Sequence, residues 1–389
     1  MRTNLERHDA RGIFRVADAG GYNEYLVYKL VWENLKHRPV RTLLSSLAIG
    51  LGVTMMLTLV GVGEGMMRDQ EARTRGVGAD IIIRPSGSSV IGATPPNIRE
   101  KMVAWTAEQP HVAQATGVVV YPLGGISSVH GVDIDELTKM SGSFKFLDGG
   151  PFKSGQEVIV DEYYAKEKHL KAGSTVNILN RDWTVSGVFR GGKLTRMMTP
   201  RTVLQEVTAN TGKVSVIYVK LDDPANTADV IAHLKKTLTD YPIYSMNELA
   251  SQFSVNSVPE LKTFIGVVVT LSVLFGFLVV FLAMYTAILE RTREIGILKS
   301  LGAGKRYVLG ILLRETLLLA LIGSAMGIGM SYGTRWMIAT FIPASMTQAI
   351  VYEWWPIASG ITLGGALLGV FYPAIKAARQ DALESLSYD

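Results

Sequence analysis

ERTREIGILKSLGAG, residues 290–304, is a short charged insert between two strongly apolar runs. Ahead of it, residues 264–289 read FIGVVVTLSVLFGFLVVFLAMYTAIL without a single charge, and residues 308–342 are again mostly apolar. About 20 apolar residues are enough to cross the hydrocarbon core as a helix, so the insert is a tight connection on one face of a membrane. Arg291, Arg293, Lys299, Lys305 and Arg306 crowd into it, which predicts a cytoplasmic location. Ile295, Leu298 and Leu301 recur at helical spacing with Ile297 beside them, and Glu290, Arg293, Glu294 and Lys299 fill much of the remaining surface. That pattern is an amphipathic helix, with Gly302, Ala303 and Gly304 as a permissive stop. Two occupants suit such a helix: the lipid interface, or a socket on a cytoplasmic protein. A helix lying on lipid favours cations, so Glu290 and Glu294 tilt the balance slightly towards the socket.

Working outward, the chain has 389 residues, 48% of them hydrophobic, no cysteine and a net charge of +5. Mean hydropathy of +0.23 suits a chain partly embedded in a membrane. The basic residues flank apolar runs, so they read as topology signals and not as a nucleic-acid footprint. Residues 1–21 are polar and are expected to form a flexible cytoplasmic extension. Residues 22–41 predict an amphipathic interfacial helix, with Tyr25, Tyr28, Val31, Trp32 and Leu35 on one face and Pro39 turning the chain. Four spans follow, at 42–65, 261–289, 307–338 and 354–376. Residues 290–306 hold the coupling helix and its turn, 339–353 an outer loop without Lys or Arg, and 377–389 a cytoplasmic tail. Both termini are therefore expected in the cytoplasm of a multi-pass inner-membrane protein. Gly323 and Gly327, Gly329 and Gly333, Gly360 and Gly364, and Gly365 and Gly369 each sit four residues apart, a spacing that lets helices approach closely.

Residues 66–260 form one long hydrophilic excursion on the far side of the membrane. Its start alternates strand, helix and strand signals (79–84, 97–109, 112–121), and its end repeats them (213–221, 226–239, 243–246). The middle, 126–188, is strand-rich, with turn signals at Asp148-Gly149-Gly150, Lys171-Ala172-Gly173 and Asn180-Arg181-Asp182. The expected architecture is an α-helical membrane protein with four transmembrane helices and a large α+β domain, in which a split β-α-β part carries an inserted β-rich lobe. Residues 86–96 read as a mobile Gly/Ser/Pro loop.

Catalytic patterns are weak. GVFRGGKL, residues 187–194, approaches a phosphate-binding loop but ends in leucine where Ser or Thr would hold magnesium, and no helix follows promptly. A hairpin turn is the favoured reading. The six histidines have no ligand spacing. Asp133, Asp135 and Glu136 read as a solvated strand edge and not as a cation loop. Arg314 and Glu315 are expected to snorkel or pair at the inner interface. No catalytic or metal-binding residue is proposed.

ERTREIGILKSLGAGKRYV resembles the cytoplasmic loop of the MacB/FtsX-like permease family of ABC transporters, where E-R-x-x-E-I-G-x-L-[KR]-[AS]-[LI]-G-A is usual. NLKHRPVRTLLSSLAIGLGV (34–53) is similar to that family's opening span. YPAIKAARQDALESLSYD (372–389) is similar to its ending, except that Ala382 stands where proline is usual. The resemblance implies a porter part with an inserted lobe, and a mechanotransmission scheme without a central pore. Glu290, Arg291, Arg293, Glu294, Ile295, Gly296, Leu298, Lys299, Leu301 and Gly302 would dock a separate cytoplasmic ATPase dimer, which would hold the ATP and magnesium that this chain does not. Further partners implied are a second permease chain, identical or not, membrane lipid and a periplasmic adaptor; nucleic acid is not among them. The substrate stays open among lipoprotein, lipid, peptide, antibiotic and haem. A second role is a regulator that passes ATPase motion to a cell-wall hydrolase or sensor; it ranks behind transport because the outer domains of that branch are much smaller.

Overall fold

The computed structural model describes residues 36, 39–86, 97–124, 127–153, 155–251, 259–290, 297, 300 and 304–379. The expectations for residues 1–35, for most of the loop at 86–96 and for residues 380–389 fall outside them.

Helix α1 (Pro39–Arg75) opens on a proline, which fits a first turn because its missing N–H has no acceptor there. The apolar stretch predicts a span ending near residue 65, but the helix continues to Arg75. MMRDQEARTR contains no breaker, and Asp69 with Arg73 and Glu71 with Arg75 pair across one turn at 3.3 and 2.9 Å. At 1.5 Å per residue the helix is about 55 Å long, against about 30 Å of hydrocarbon. Its charged end therefore stands in water. Gly78, at φ +77°, ends the run.

The α+β domain follows as β1 (Ile81–Ile83), β2 (Ile98–Arg99), α2 (Lys101–Ala107), β3 (Val112–Gly124), β4 (Ser127–Val132), α3 (Ile134–Ser141), β5 (Phe146–Gly149), β6 (Glu157–Asp161), α4 (Glu162–Lys168), β7 (Thr175–Ile178), β8 (Arg181–Phe189), β9 (Met197–Pro200), α5 (Arg201–Val207), β10 (Lys213–Val214), β11 (Val216–Leu221), α6 (Thr227–Thr237), β12 (Ile243–Ser245) and α7 (Met246–Ser251). One sheet runs in the order β12-β1-β11-β3-β4-β9-β6-β8-β5, with β7 on β8. Only β4–β9 and β6–β8 are parallel within it. The long strand β3 joins the two halves: Val112–Val118 pair with β11, and Val119–Gly124 with β4. The split β-α-β part and the lobe thus share one continuous sheet.

Both faces of that sheet are covered. Ile81, Ile83, Val119, Val158 and Val160 point into one core, under Leu204 of α5 and Val230 and Leu234 of α6. Ile82, Val118, Val120 and Ile159 point into the other, under Leu137 and Met140 of α3. Successive residues serve opposite cores because strand side chains alternate with a period of two.

Three local expectations change. Asp133 is not on a strand edge: its carboxylate accepts from the Asp135 and Glu136 N–H groups and caps α3. Glu136 accepts from Thr116 Oγ1 at 2.6 Å and from Arg201 Nη1 at 3.1 Å. The β7–β8 turn consists of Leu179 and Asn180, at φ +56° and +58°, one residue earlier than the polar triplet suggests. Residues 187–194 do not close a hairpin, because β8 and β9 both pair with β6 and not with each other.

Helices α8 (Pro259–Glu290), α9 (Lys305–Phe341) and α10 (Trp354–Arg379) complete the chain. With α1 they are, among the described residues, the four helices long and apolar enough to span a membrane. In the compact unit they form with the first part of α1, Ile49, Val280, Met284, Leu312, Leu319, Ala366 and Val370 share a core. Glu315 is buried there.

Candidate functional site

Of the proposed docking residues, Glu290 ends α8. Arg291, Arg293, Glu294, Ile295, Gly296, Leu298, Lys299, Leu301 and Gly302 lie outside the described residues. Ile297 and Ser300 are helical; Ile297 is 44% exposed, and Ser300 Oγ donates to its carbonyl at 2.8 Å.

The glycine pairs divide. A Cβ on Gly323 would lie 2.7 Å from Ile49 Cγ2, and one on Gly327 would lie 2.6 Å from the Gly50 carbonyl oxygen. Here α9 and α1 meet backbone to backbone, and Thr54 Oγ1 donates to the Gly327 carbonyl at 3.1 Å. Gly369 similarly faces the Phe277 carbonyl oxygen of α8 at 2.8 Å, with Gly365 near Val273 at 3.4 Å. Gly329, Gly333, Gly360 and Gly364 have nothing within 4 Å of a Cβ position, so they pack against no other element among the described residues.

The densest polar constellation among the described residues was not anticipated. It surrounds the charged end of α1, within the same compact unit as the α+β domain. Residues 190–196, the tail of the near-miss motif, strap across that end. The Leu194 N–H donates to the Arg73 carbonyl at 3.1 Å, and a Cβ on Gly76 would collide with the Gly192 carbonyl. Arg196 then bridges two carboxylates: Nη2 donates to Asp69 Oδ2 of α1 at 2.8 Å, and Nη1 to Asp161 Oδ2 at 2.9 Å. Its guanidinium also lies over the Tyr163 ring, 5.3 Å from the centroid.

Asp161 ends β6 and caps α4, its other oxygen accepting from the Tyr164 N–H at 2.8 Å. Its side chain is 1% exposed. Burial pushes its carboxyl up from the usual range, while the Arg196 guanidinium, the Tyr164 amide and Arg73 pull the other way. At the far end of α4, Glu167 accepts from the Ala344 and Ser345 N–H groups at 3.0 and 3.1 Å, and from Ser345 Oγ at 3.1 Å. Lys166 Nζ donates to the Ala339 carbonyl at 2.8 Å. Residues 336–349 belong to this same unit. Gly65 presses on them as well: a Cβ there would collide with the Thr347 carbonyl.

Between these elements lies a polar cleft of about 390 Å³, bordered by Gln70, Arg73, His130, Glu167, Asn177 and Ser345. Burial, aided by the Arg73 charge, pushes His130 down to about 3, so it is neutral at ordinary pH. Lys193, which would be the lysine of a phosphate loop, instead donates to the Ser141, Gly142 and Ser143 carbonyls at 2.8, 2.7 and 3.0 Å. It closes the end of α3, a structural role.

Two family models account for most of the chain. The MacB-like periplasmic core domain matches residues 42–237, and the FtsX-like permease C-terminal region matches residues 266–382. The chain belongs to the MacB/FtsX-like family of ABC transporter permeases. Within that family it is 28% identical to the uncharacterized ABC transporter permease YknZ of Bacillus subtilis, over 91% of this chain and 96% of that one. It is 25% identical to the macrolide export ATP-binding/permease protein MacB of Burkholderia cenocepacia, over 93% of this chain but only 57% of that one. For Escherichia coli MacB the figures are 25%, 91% and 59%. The chain thus spans a little over half the length of these MacB relatives. Among solved structures, the periplasmic region of MacB from Actinobacillus actinomycetemcomitans covers 46% of this chain at 17% identity and a TM-score of 0.36.

Proposed function

We propose that this MacB/FtsX-like permease is the transmembrane subunit of an ABC transporter whose ATP is hydrolysed on a separate cytoplasmic chain. Two permease chains pair, each offers residues 290–304 to one ATPase subunit, and closure of the ATPase dimer moves α8 and α1. The motion emerges on the outer side of the inner membrane, where a substrate is exported or extracted. The single observation that carries this reading is α1: one unbroken helix runs from an apolar segment to the clasp of Asp69, Arg196 and Asp161. A stiff helix is a suitable carrier of rigid-body displacement. Lys36, Arg38 and Arg41 around the start of α1, the basic insert, and Lys376 and Arg379 in the last turn of α10 support cytoplasmic termini. The names of the MacB relatives point to a macrolide-like amphiphile as the first substrate class to try.

The test is co-expression with an ABC ATPase encoded beside it and reconstitution of the complex. Glu294→Lys with Leu298→Asp is expected to leave the permease in the membrane while abolishing co-purification and any stimulation of ATP hydrolysis. Unchanged co-purification and stimulation in that double variant would overturn the docking role. Recruitment of a cell-wall hydrolase, with no transport by the active complex, would favour the regulatory role.

A further inference from the structure

We propose that α4 is the element through which the lobe takes up the movement of α1, with Asp69, Arg196 and Glu167 as its positioning residues. This inference rests on the transport reading above and adds to it where the motion is received. α4 is tied at both ends. At its start, Asp161 caps the helix and holds Arg196, which holds Asp69 on α1. At its end, Glu167 gathers two backbone N–H groups and a hydroxyl from residues 344 and 345, and Lys166 holds the Ala339 carbonyl. These last three residues follow α9 or close it.

A seven-residue helix flexes little along its axis, so the two ties fix the distance between the end of α1 and the 339–345 segment. The ties are charge-assisted and shielded: the side chains of Arg196, Asp69 and Glu167 are 13%, 17% and 10% exposed. Such hydrogen bonds are short and about twice as strong as neutral ones, and they resist screening. The strap packs the remaining gap, since a Cβ on Gly191 would meet the Tyr163 ring at 2.7 Å. Displacing α1 therefore carries the lobe with it, provided both ends hold.

The chain has no cysteine, so spin labels can be placed at will. Labels on Arg68 of α1 and Leu147 of the lobe, both exposed, report the tie in the full chain in nanodiscs. Wild type is expected to give a narrow distance distribution that stays narrow when the ATPase complex turns over. Asp69→Ala, which leaves the Arg196–Asp161 pair in place, and Glu167→Ala are each expected to broaden it. ATPase recruitment and basal hydrolysis should persist, while transport of a macrolide probe falls at least tenfold. Glu167→Gln is expected to restore part of the loss. A broad distribution in wild type, or a narrow one with full transport in both alanine variants, would overturn the proposal and leave the transport reading intact. If no ATPase binds wild type, the transport reading and its transmission role fail together, whereas the labels on the chain alone still decide whether α4 is tied.

Discussion

The α1–α9 contact and the clasp at the end of α1 hold the same helix by opposite means. Around Gly50, Gly323 and Gly327 the contact sets glycine backbone against backbone and against the apolar side chains of Ile49, Val53 and Met330, with the Thr54 hydroxyl donating across it. Around Arg73 and Arg196 it is built from charges. In hydrocarbon no hydrophobic force draws helices together, so close backbone approach supplies van der Waals contact. In water that force exists, but a bare helix end has little apolar surface to bury, and matched charges fix its position. Backbone approach recurs in the clasp, at Gly65 and Gly76, so the charges there add direction to a contact that is already tight.

The largest effect should come from breaking the charged side. Arg196→Met leaves Asp161 buried without its paired guanidinium, with only the more distant Arg73 charge to offset it, a loss of about 3–5 kcal/mol, measured as thermal midpoint in detergent. Arg196→Lys keeps the charge but cannot reach both carboxylates as a fork does, and should fall between. If Arg196→Met leaves the midpoint unchanged, the clasp is not what fixes the helix end.

The neutral side is tested next. Gly327→Leu must push against the Gly50 backbone and should cost about 3 kcal/mol, seen as loss of monodisperse protein in size-exclusion chromatography. Gly329→Leu, two residues on with open space around it, should stay within about 0.5 kcal/mol. Equal behaviour of the two would mean that backbone approach does not hold α1 to α9.

The last effect, absent at neutral pH and confined to acid, concerns His130 beside the cleft. Its folded value of about 3 lies below the ordinary 6.5, so between those values the unfolded chain binds the proton and the folded chain does not. Stability is then full above pH 6.5 and falls as pH drops towards 3. His130→Gln should make that acid loss shallower, as read by thermal midpoints across the range. An identical slope would remove His130 from the account.

Much of this was legible along the chain. The charge-free run before Glu290 and the basic residues after it give spans and connections, because the bilayer demands length and excludes charge. The β-α-β brackets could be read because strand and helix periods differ. The clasp could not be read: Asp69, Asp161 and Arg196 are far apart in sequence, and each looks like an ordinary surface charge. The one local clue was Asp161, a carboxylate ending the apolar run EVIVD just where a helix starts. The glycine pairs look alike in spacing, yet among the described residues only Gly323 with Gly327 and Gly365 with Gly369 meet a neighbour, since spacing says which residues share a face and not what that face touches.

By itself the sequence determined the membrane-spanning runs, their charged connections and the split α+β plan, all of which depend on hydropathy and periodicity over neighbouring residues. Only the tertiary structure decided that residues 190–196 form a strap, that α4 is held at both ends, and which glycines carry helix contact. Those depend on groups brought together across the fold, and a distance between residues 69, 161 and 196 exists only once the strands between them have paired.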